Sequence, residues 1–568
     1  MRIPVSRFSA AGATAVACAG LFAAALCSAQ TPENATGPHE TRDPAVRPAA
    51  PRPLIVEPVP PARLSLGPDQ SVQVNTAPGG GNIVGDAANE PSITFDPLRP
   101  YRMAIGWRQF DSINSSFREA GFAWSRDAGR TWTNGGVLQE NSFRTDPVLD
   151  ADANGTFYYQ SLYGTSLTDC DIWRSTDGGR TWLPPVAAGG GDKNWMVVDR
   201  SGASSDGFVY GVWRADFSCC GPNIFNRSID AGASYSWPVP ISQNPAMATI
   251  AVHPSGDVFV GGVLLSNLSQ FRVAKSLSAG DGGPAFGFET VVSVNLGGSL
   301  IFNRSNSPNP AGLCGQVWIA SDVGLGPARG NLYLLCSVDP SGTDPCDVRF
   351  SRSTDGGLTW SPSIRVNDDA STTAWQWFGT MAVAPGGRID VVWCDTRASG
   401  QIHVSELRYS SSSDAGATWT PSIAVSPTFN SYLGWPRQNK LGDYYQLVSD
   451  DVGASLAYAA TFNGEQDIFF LRIGDYDCNG NGVGDAADIS RAISRDVNGN
   501  GQPDECECIG DVDADLNVGL SDLGRLLAAF GSPAESPTYD AAADIDGNAR
   551  VDVQDLAHVL AAFGRECE

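Results

Sequence analysis

Ser175-Thr176-Asp177-Gly178-Gly179-Arg180-Thr181-Trp182 is the stretch that decides the fold. The same Ser-x-Asp-x-Gly-x-Thr-Trp pattern returns at Ser125 to Trp132, Ser353 to Trp360 and Ser412 to Trp419. A worn copy runs from Ser228 to Ser234, with Ser234 in place of Thr and its Trp slipped to Trp237. Repetition at a spacing of roughly fifty residues points to an array of equivalent supersecondary units. Each copy is a turn with a mechanism: the Asp carboxylate accepts from amides of its own turn, and Gly supplies a positive φ. The Trp then buries as the next strand begins.

Working outward, residues 71–473 hold short alternating strands, turn clusters and almost no helical period, which reads all-β. First strands of successive units fall at Pro91 to Phe95, Pro147 to Leu149, Trp195 to Val198, Thr249 to Val252, Val317 to Ile319, Met381 to Val383 and Tyr445 to Val448. That spacing predicts seven units, with six and one irregular insertion as the alternative. Unit four has a degraded turn at Ser276 to Gly280, and unit seven has none. Ser71 to Asn75 is expected to supply the missing outer strand and close a ring. The repeated turn resembles the Asp box of sialidase-like β-propellers, which implies a β-propeller here. Sialidases themselves have six blades.

The N-terminus reads as a Sec signal: Arg2 and Arg7, an apolar run from Ala10 to Leu26, and a small-residue cut after Ala29. The expected organisation is a signal at 1–29, a Pro-rich linker at 30–70, the propeller at 71–473, calcium repeats at 474–508 and a further calcium module at 509–568. A secreted or cell-surface protein is implied, and no stretch reads as a transmembrane span. Eleven of the thirteen cysteines follow the signal, so in an exported chain they are disulfide candidates. The expected pairs are Cys336 with Cys346 across a hairpin loop, Cys478 with Cys506, and Cys508 with Cys567. A net charge of −25 argues against nucleic acid as a partner.

Residues 475–568 carry 20 Asp and Glu against 5 Arg, a net −15. Their oxygen-bearing residues recur at the spacing of Ca²⁺ loops. Four sets fit: Asp477, Asn479, Asn481 and Asp488; Asp496, Asn498, Asn500 and Glu507; Asp511, Asp513, Asp515 and Asp522; Asp544, Asp546, Asn548 and Asp555. The last two sets each run into a helix, Leu523 to Phe530 and Leu556 to Phe563. Their apolar faces (Leu523, Leu526, Leu527, Phe530; Leu556, Val559, Leu560, Phe563) are expected to pack on each other. This pair resembles a dockerin type I or EF-hand-like module, which implies Ca²⁺ as cofactor and a cohesin-like protein as the tail's partner. Position 6 of these loops, usually Gly, is Leu516 and Ala549. The first two loops resemble the Asp-Cys-Asn-Gly-Asn-Gly repeats of bacterial surface proteins.

In a propeller, the loops from second to third strands and the starts of the inner strands share the face opposite the repeated turns. Glu90, Asp146, Asp192, Lys193, Asp443, Tyr444 and Tyr445 fall there, as do Arg108, Asp111, Arg214, Asp216, Asp395 and Arg397. Three arginines at equivalent positions could grip a carboxylate bidentately. The sialidase resemblance implies an Arg triad from Arg108, Arg214 and Arg397. It implies a nucleophile at Tyr444 or Tyr445 with Glu90 as its base, and an acid at Asp111 or Asp146. The Phe/Tyr-Arg-Ile-Pro motif of sialidases is absent from residues 30–568; unit one has Gly106-Trp107-Arg108-Gln109 instead. Two functions stay open. One is an exo-α-sialidase or related glycoside hydrolase acting on an extracellular glycan or glycoprotein. The other is a non-catalytic glycan- or protein-binding surface propeller, in which the Arg–Asp pairs tie blades together. With four His in all, a His-rich zinc site or a Ser-His-Asp triad is poorly supplied.

Overall fold

A computed structural model describes residues 55–56, 63–66, 69–164, 166–513 and 517–565. The expected signal, most of the expected linker, Asp515 and Cys567 lie outside them. The chain forms a seven-bladed β-propeller followed by a small tail with three short α-helices. Blade 1 is the antiparallel sheet Ala87–Asp96, Arg99–Phe110, Arg118–Ser125 and Thr133–Val137. Inner strands of the next five blades begin at Arg144, Trp195, Ala246, Trp318 and Gln376. Blade 7 takes Gln446–Ser449, Gly453–Ala460 and Asp467–Gly474 from the end of the array and Asp69–Gln73 from its beginning. The register Gln70↔Arg472 to Gln73↔Phe469 closes the ring. A fifth strand, Arg63–Leu66, pairs outside it, so the sheet begins within the stretch expected to be linker. No helix among the described residues is long and apolar enough to cross a membrane.

The five repeated turns share one hydrogen-bond pattern. In blade 2, Asp177 accepts from the Ser175 hydroxyl (2.8 Å), the Thr181 amide (2.9 Å) and the Thr181 hydroxyl (2.6 Å). Despite partial burial, these bonds hold its carboxyl below the usual range. The Ser175 hydroxyl accepts from the Gly179 amide at 2.9 Å. Gly179 has φ +85°, and a Cβ there would stand 2.8 Å from the Ala104 side chain of blade 1. Gly416 of blade 6 likewise leaves no room for a Cβ beside Phe350 of blade 5. Each turn is thus tucked under the blade before it. An arginine on the third strand often completes the stitch: Arg174 donates to the Ala231 carbonyl of the next turn (3.0 Å), and Arg352 to that of Ala415 (2.8 Å). In the worn third turn Tyr235, not a displaced Trp, takes the Trp position and packs inward, leaving Trp237 76% exposed. In blade 4, Glu289, just before the following strand, braces the degraded turn instead, accepting from the Leu277 amide at 2.8 Å and the Ser278 hydroxyl at 3.0 Å. Asp177→Ala is expected to cost about 1–3 kcal/mol by stranding its donors, read by thermal denaturation, with the opposite face unaffected.

The tail contains α1 (Asp485–Ser490), α2 (Leu520–Ala529) and α3 (Val553–Ala562). It joins the turn face of blade 1: Arg130 pairs with Asp485 at 2.7 Å and lies 3.9 Å over the Tyr476 ring. Leu526 and Val559 are buried in the tail's own core and Leu523 and Leu556 partly so, but Leu527, Phe530, Leu560 and Phe563 face solvent. The expected apolar faces therefore pack along one edge only, because the core is completed by loop residues such as Val512, Ile545 and Val551.

Cys478 and Cys506 form a disulfide, as expected. Cys336 and Cys346 do not; both thiols are free and buried. Strand register places Cys336 opposite Arg349, three residues past Cys346, and the two thiols enter different apolar clusters. An unforeseen disulfide joins the adjacent Cys219 and Cys220 on the second-to-third loop of blade 3.

Candidate functional site

The inner strands share a device at their starts. Glu90, Asp146, Lys193, Met247 and Phe378, in blades 1, 2, 3, 4 and 6, all have left-handed backbone, with φ between 49° and 56°. Four of the five fall at a break in strand register. A bulge of this kind turns a side chain out of the pleat, at a cost of roughly 1–2 kcal/mol for an L-residue. Here the three charged residues gather on one side of the propeller axis, and Met247 and Phe378 join the apolar clusters. Trp195, at the start of blade 3's inner strand, packs 5.0 Å from the Trp318 ring and 5.5 Å from Tyr444.

The charged side is a closed network. The Arg108 guanidinium lies 3.1 Å from Glu90 and donates to Asn89 at 2.8 Å and Gln438 at 3.3 Å. Lys440 reaches Glu90 at 3.5 Å and Asp443 at 2.8 Å. Lys193 also pairs with Asp443. Asp146 accepts from the Thr145 hydroxyl (2.7 Å) and the Lys193 amide (3.2 Å). Glu90, Asp146 and Asp443 thus face Arg108, Lys193 and Lys440, and every member is buried. Burial is the strongest influence on Glu90; it outweighs the Arg108 and Lys440 cations and pushes the carboxyl up to about 8. For Lys193 burial works against the charge, but Asp443, Asp146 and Asp192 prevail and raise it well above its ordinary value.

The three arginines proposed to converge are each held elsewhere. Arg108 is fully buried in the network above. Arg214 pairs with Asp192 at 3.1 Å and with Asp216. Arg397 binds Asp368 (2.6 Å), Asp395 (2.8 Å) and Asp369 (3.4 Å) between blades 5 and 6. No carboxylate is shared among the three in these pairs. The Tyr444 hydroxyl donates to the Pro147 carbonyl at 2.7 Å, and that of Tyr445 to the Ala459 carbonyl at 2.5 Å. Burial first, then Glu90 and Asp146, raises the Tyr444 phenol well above its ordinary value. Asp111 sits half-buried in the loop after blade 1's second strand. Beside it, the Arg437 amide donates to the Ile113 carbonyl at 3.3 Å.

Sequence reasoning missed Lys440, Asn89 and Gln438. Lys440 carried a usable signal, lying three residues before Asp443. It also missed an aromatic group on the same face. The His403 and Tyr432 rings lie 5.3 Å apart and Tyr432 and Trp435 4.8 Å apart. Their polar ends are engaged, Tyr432 to the Ser307 carbonyl and Trp435 to that of Ser431, both at 2.7 Å. All three residues are partly buried.

In the tail, Asp477 accepts from the amides of Asn481 (3.0 Å) and Gly482 (2.9 Å), and Asp496 repeats this with Asn500 (3.1 Å) and Gly501 (3.0 Å). Asn481 and Asn479 both donate to Asp488 Oδ2, at 2.7 and 3.2 Å. Asn498 and Asn500 donate to Glu507, one to each carboxylate oxygen. Carboxylate oxygens of Asp511, Asp513 and Asp522 lie within 4.8 Å of one another, as do those of Asp544, Asp546 and Asp555. Asp522 and Asp555 accept from equivalent amides, those of Val512 and Ile545, both at 2.7 Å. The Asn548 amide donates to Asp544 at 3.1 Å.

No family model and no curated protein matches the chain. Among solved structures, a protein of unknown function from Dyadobacter fermentans is similar at 15% identity over 69% of this chain and 98% of that one, with a TM-score of 0.39. A leech intramolecular trans-sialidase is similar at 11% identity, covering 54% and 64%, with a TM-score of 0.38. A phage phi92 endosialidase is similar at 8% identity, covering 72% and 69%, with a TM-score of 0.40. Structural neighbours thus include sialidases and other propeller glycosidases. The strand order itself carries the seven-bladed architecture.

Proposed function

We propose that this chain is an exported propeller that binds an extracellular glycan or glycoprotein on the face opposite its repeated turns, without hydrolysing it. The observation that carries the reading is how the expected catalytic groups are committed. Each rim arginine is neutralised by its own carboxylates, and both tyrosine hydroxyls donate to main-chain carbonyls inside the core. Gripping a sugar carboxylate would require these pairs to exchange partners, and for the fully buried Arg108 it would leave Glu90 uncompensated. The partly buried rings of His403, Tyr432 and Trp435 offer what a sugar face needs: flat apolar area that loses little side-chain freedom on binding. The exo-α-sialidase reading is the competitor, with Arg108, Arg214, Arg397, Glu90, Tyr444 or Tyr445, and Asp111 or Asp146 in the roles given above.

The tail belongs to the same proposal. Its donor sets contain oxygen only, and Asp488 Oδ1 is buried without a hydrogen-bond partner. That chemistry fits a hard cation such as Ca²⁺, held by the four loops named above.

One experiment separates the readings: fluorogenic sialoside turnover and glycan-array binding by the full chain, in Ca²⁺ and in chelator. The expected result is no turnover, with binding that weakens about fivefold or more in Trp435→Ala, as for loss of an aromatic anchor. Turnover abolished by Tyr444→Phe would establish the sialidase instead.

A further inference from the structure

The disulfides Cys478–Cys506 and Cys219–Cys220 differ in kind. Cys478 and Cys506 are 28 residues apart and buried. Cys219 and Cys220 are neighbours in sequence and partly exposed. A cross-link stabilises a fold chiefly by removing freedom from the unfolded chain, and the effect shrinks with the loop it closes. Joining neighbours closes no loop of chain, so Cys219–Cys220 adds almost nothing on that account. Its effect has to be local.

The pair lies between the second and third strands of blade 3, on the face opposite the repeated turns. Against it runs Gly189-Gly190-Gly191, the approach to Asp192 and Lys193. Cys219 holds Gly190 at two points: its amide donates to the Gly190 carbonyl at 3.0 Å, and its Sγ accepts from the Gly190 amide at 3.5 Å. Asp192 is held next. Its amide donates to the Phe217 carbonyl at 2.9 Å, and its carbonyl accepts from the Arg214 amide at 3.1 Å. Gly191 fits only without a side chain, since a Cβ there would stand 2.6 Å from the Phe217 carbonyl. Gly189 and Gly190 have φ of +64° and +156°, conformations that only glycine adopts freely. Three glycines in a row bring little stiffness of their own, so the order of this approach comes from the loop that grips it. That loop holds an unfavoured shape in turn: Phe217 has φ +63°, uncommon for a bulky L-residue.

We propose that Cys219–Cys220 is a redox-sensitive fastener of the blade 3 rim, and that its reduction by a dithiol releases Gly189 to Asp192 from the loop. The step is ordinary thiol–disulfide exchange. One sulfur of the dithiol bonds to one of the two cysteines as the Cys219–Cys220 bond breaks. Its second sulfur then closes the dithiol's own disulfide. Cys219 and Cys220 take up two electrons and two protons and are left as thiols. Untied, the two side chains rotate independently, the Sγ that met the Gly190 amide leaves its place, and Phe217 relaxes from its left-handed conformation. Partial exposure admits the dithiol here, whereas Cys478 and Cys506, at 0% and 5% exposed, are shielded.

The test is hydrogen exchange of the full chain, read by mass spectrometry, across a dithiothreitol titration in which quenched aliquots are alkylated to map the open thiols. Cys219 and Cys220 are expected to open at concentrations that leave Cys478 and Cys506 joined. Exchange across residues 189–193 and 214–221 should then quicken about tenfold or more, as for a segment moved to the least stable part of a fold, and slow again on reoxidation. The tail should exchange as before. A variant carrying both Cys219→Ser and Cys220→Ser should show the faster exchange with or without reductant. If that variant fails to fold, the reduced wild type decides. Unchanged exchange across 189–193 in a chain whose Cys219 and Cys220 are both thiols would overturn the proposal. So would a Cys219–Cys220 bond that survives conditions opening Cys478–Cys506.

Discussion

Arg108→Ala is expected to lower stability by about 3–5 kcal/mol, the range seen when one member of a buried ion pair is removed. The side chain is fully buried, so truncation leaves a cavity as well. It also strands acceptors on Asn89, Gln438 and Glu90 in the dry centre of the ring. Urea unfolding followed by tryptophan emission reads the loss. A double variant, Arg108→Met with Glu90→Leu, should recover part of it, since it removes the uncompensated Glu90 carboxyl and refills the volume but leaves the Asn89 and Gln438 acceptors stranded. A loss below about 1 kcal/mol for Arg108→Ala, no more than exposed pairs give, would show that the network is not structural.

Deleting residues 1–75 is expected to cost more still, more than about 5 kcal/mol, a value comparable to the whole stability of an ordinary domain. The deletion removes both outer strands of blade 7 and the register that joins Val72 to Phe470. It exposes the length of Asp467–Gly474, a strand whose residues are buried except the last. An uncovered apolar edge of that kind pairs with other chains. Size-exclusion chromatography should therefore find aggregate. A monomeric truncated chain with native melting would mean that six complete blades and a partial seventh suffice.

Much of this architecture was legible in the residues. Ser-x-Asp-x-Gly-x-Thr-Trp is local chemistry, since all its hydrogen bonds fall within seven residues, and so the turns and the blade count could be read directly. The closing strand was legible as well, because unit seven lacked a turn and Ser71 to Asn75 offered one alternating stretch to replace it. The partners of Arg108 were not. Gln438 is 330 residues away and reaches it only once the ring has closed. Cys336 and Cys346 misled because separation along a hairpin says nothing about which face each thiol occupies. The left-handed residues starting the inner strands were hidden for another reason. Glu, Asp, Lys, Met and Phe occupy one backbone position, and none of them announces a positive φ.

The two ends of the propeller meet through Asn75 and Asp467, 392 residues apart. The entropy of holding such a loop shut grows with the logarithm of its length, each doubling adding only about 0.6 kcal/mol. Inserting one more blade of about fifty residues would therefore add roughly 0.1 kcal/mol to closure. Chain length exerts almost no restraint on how many blades the ring contains. What fixes the number at seven is the fit at the join: whether Asp69–Gln73 arrives at the spacing of a hydrogen-bonded neighbour and whether the inner-strand residues of facing blades meet, as Trp195, Trp318 and Tyr444 do. A duplicated blade would be rejected as a ring that cannot bring its edges into register.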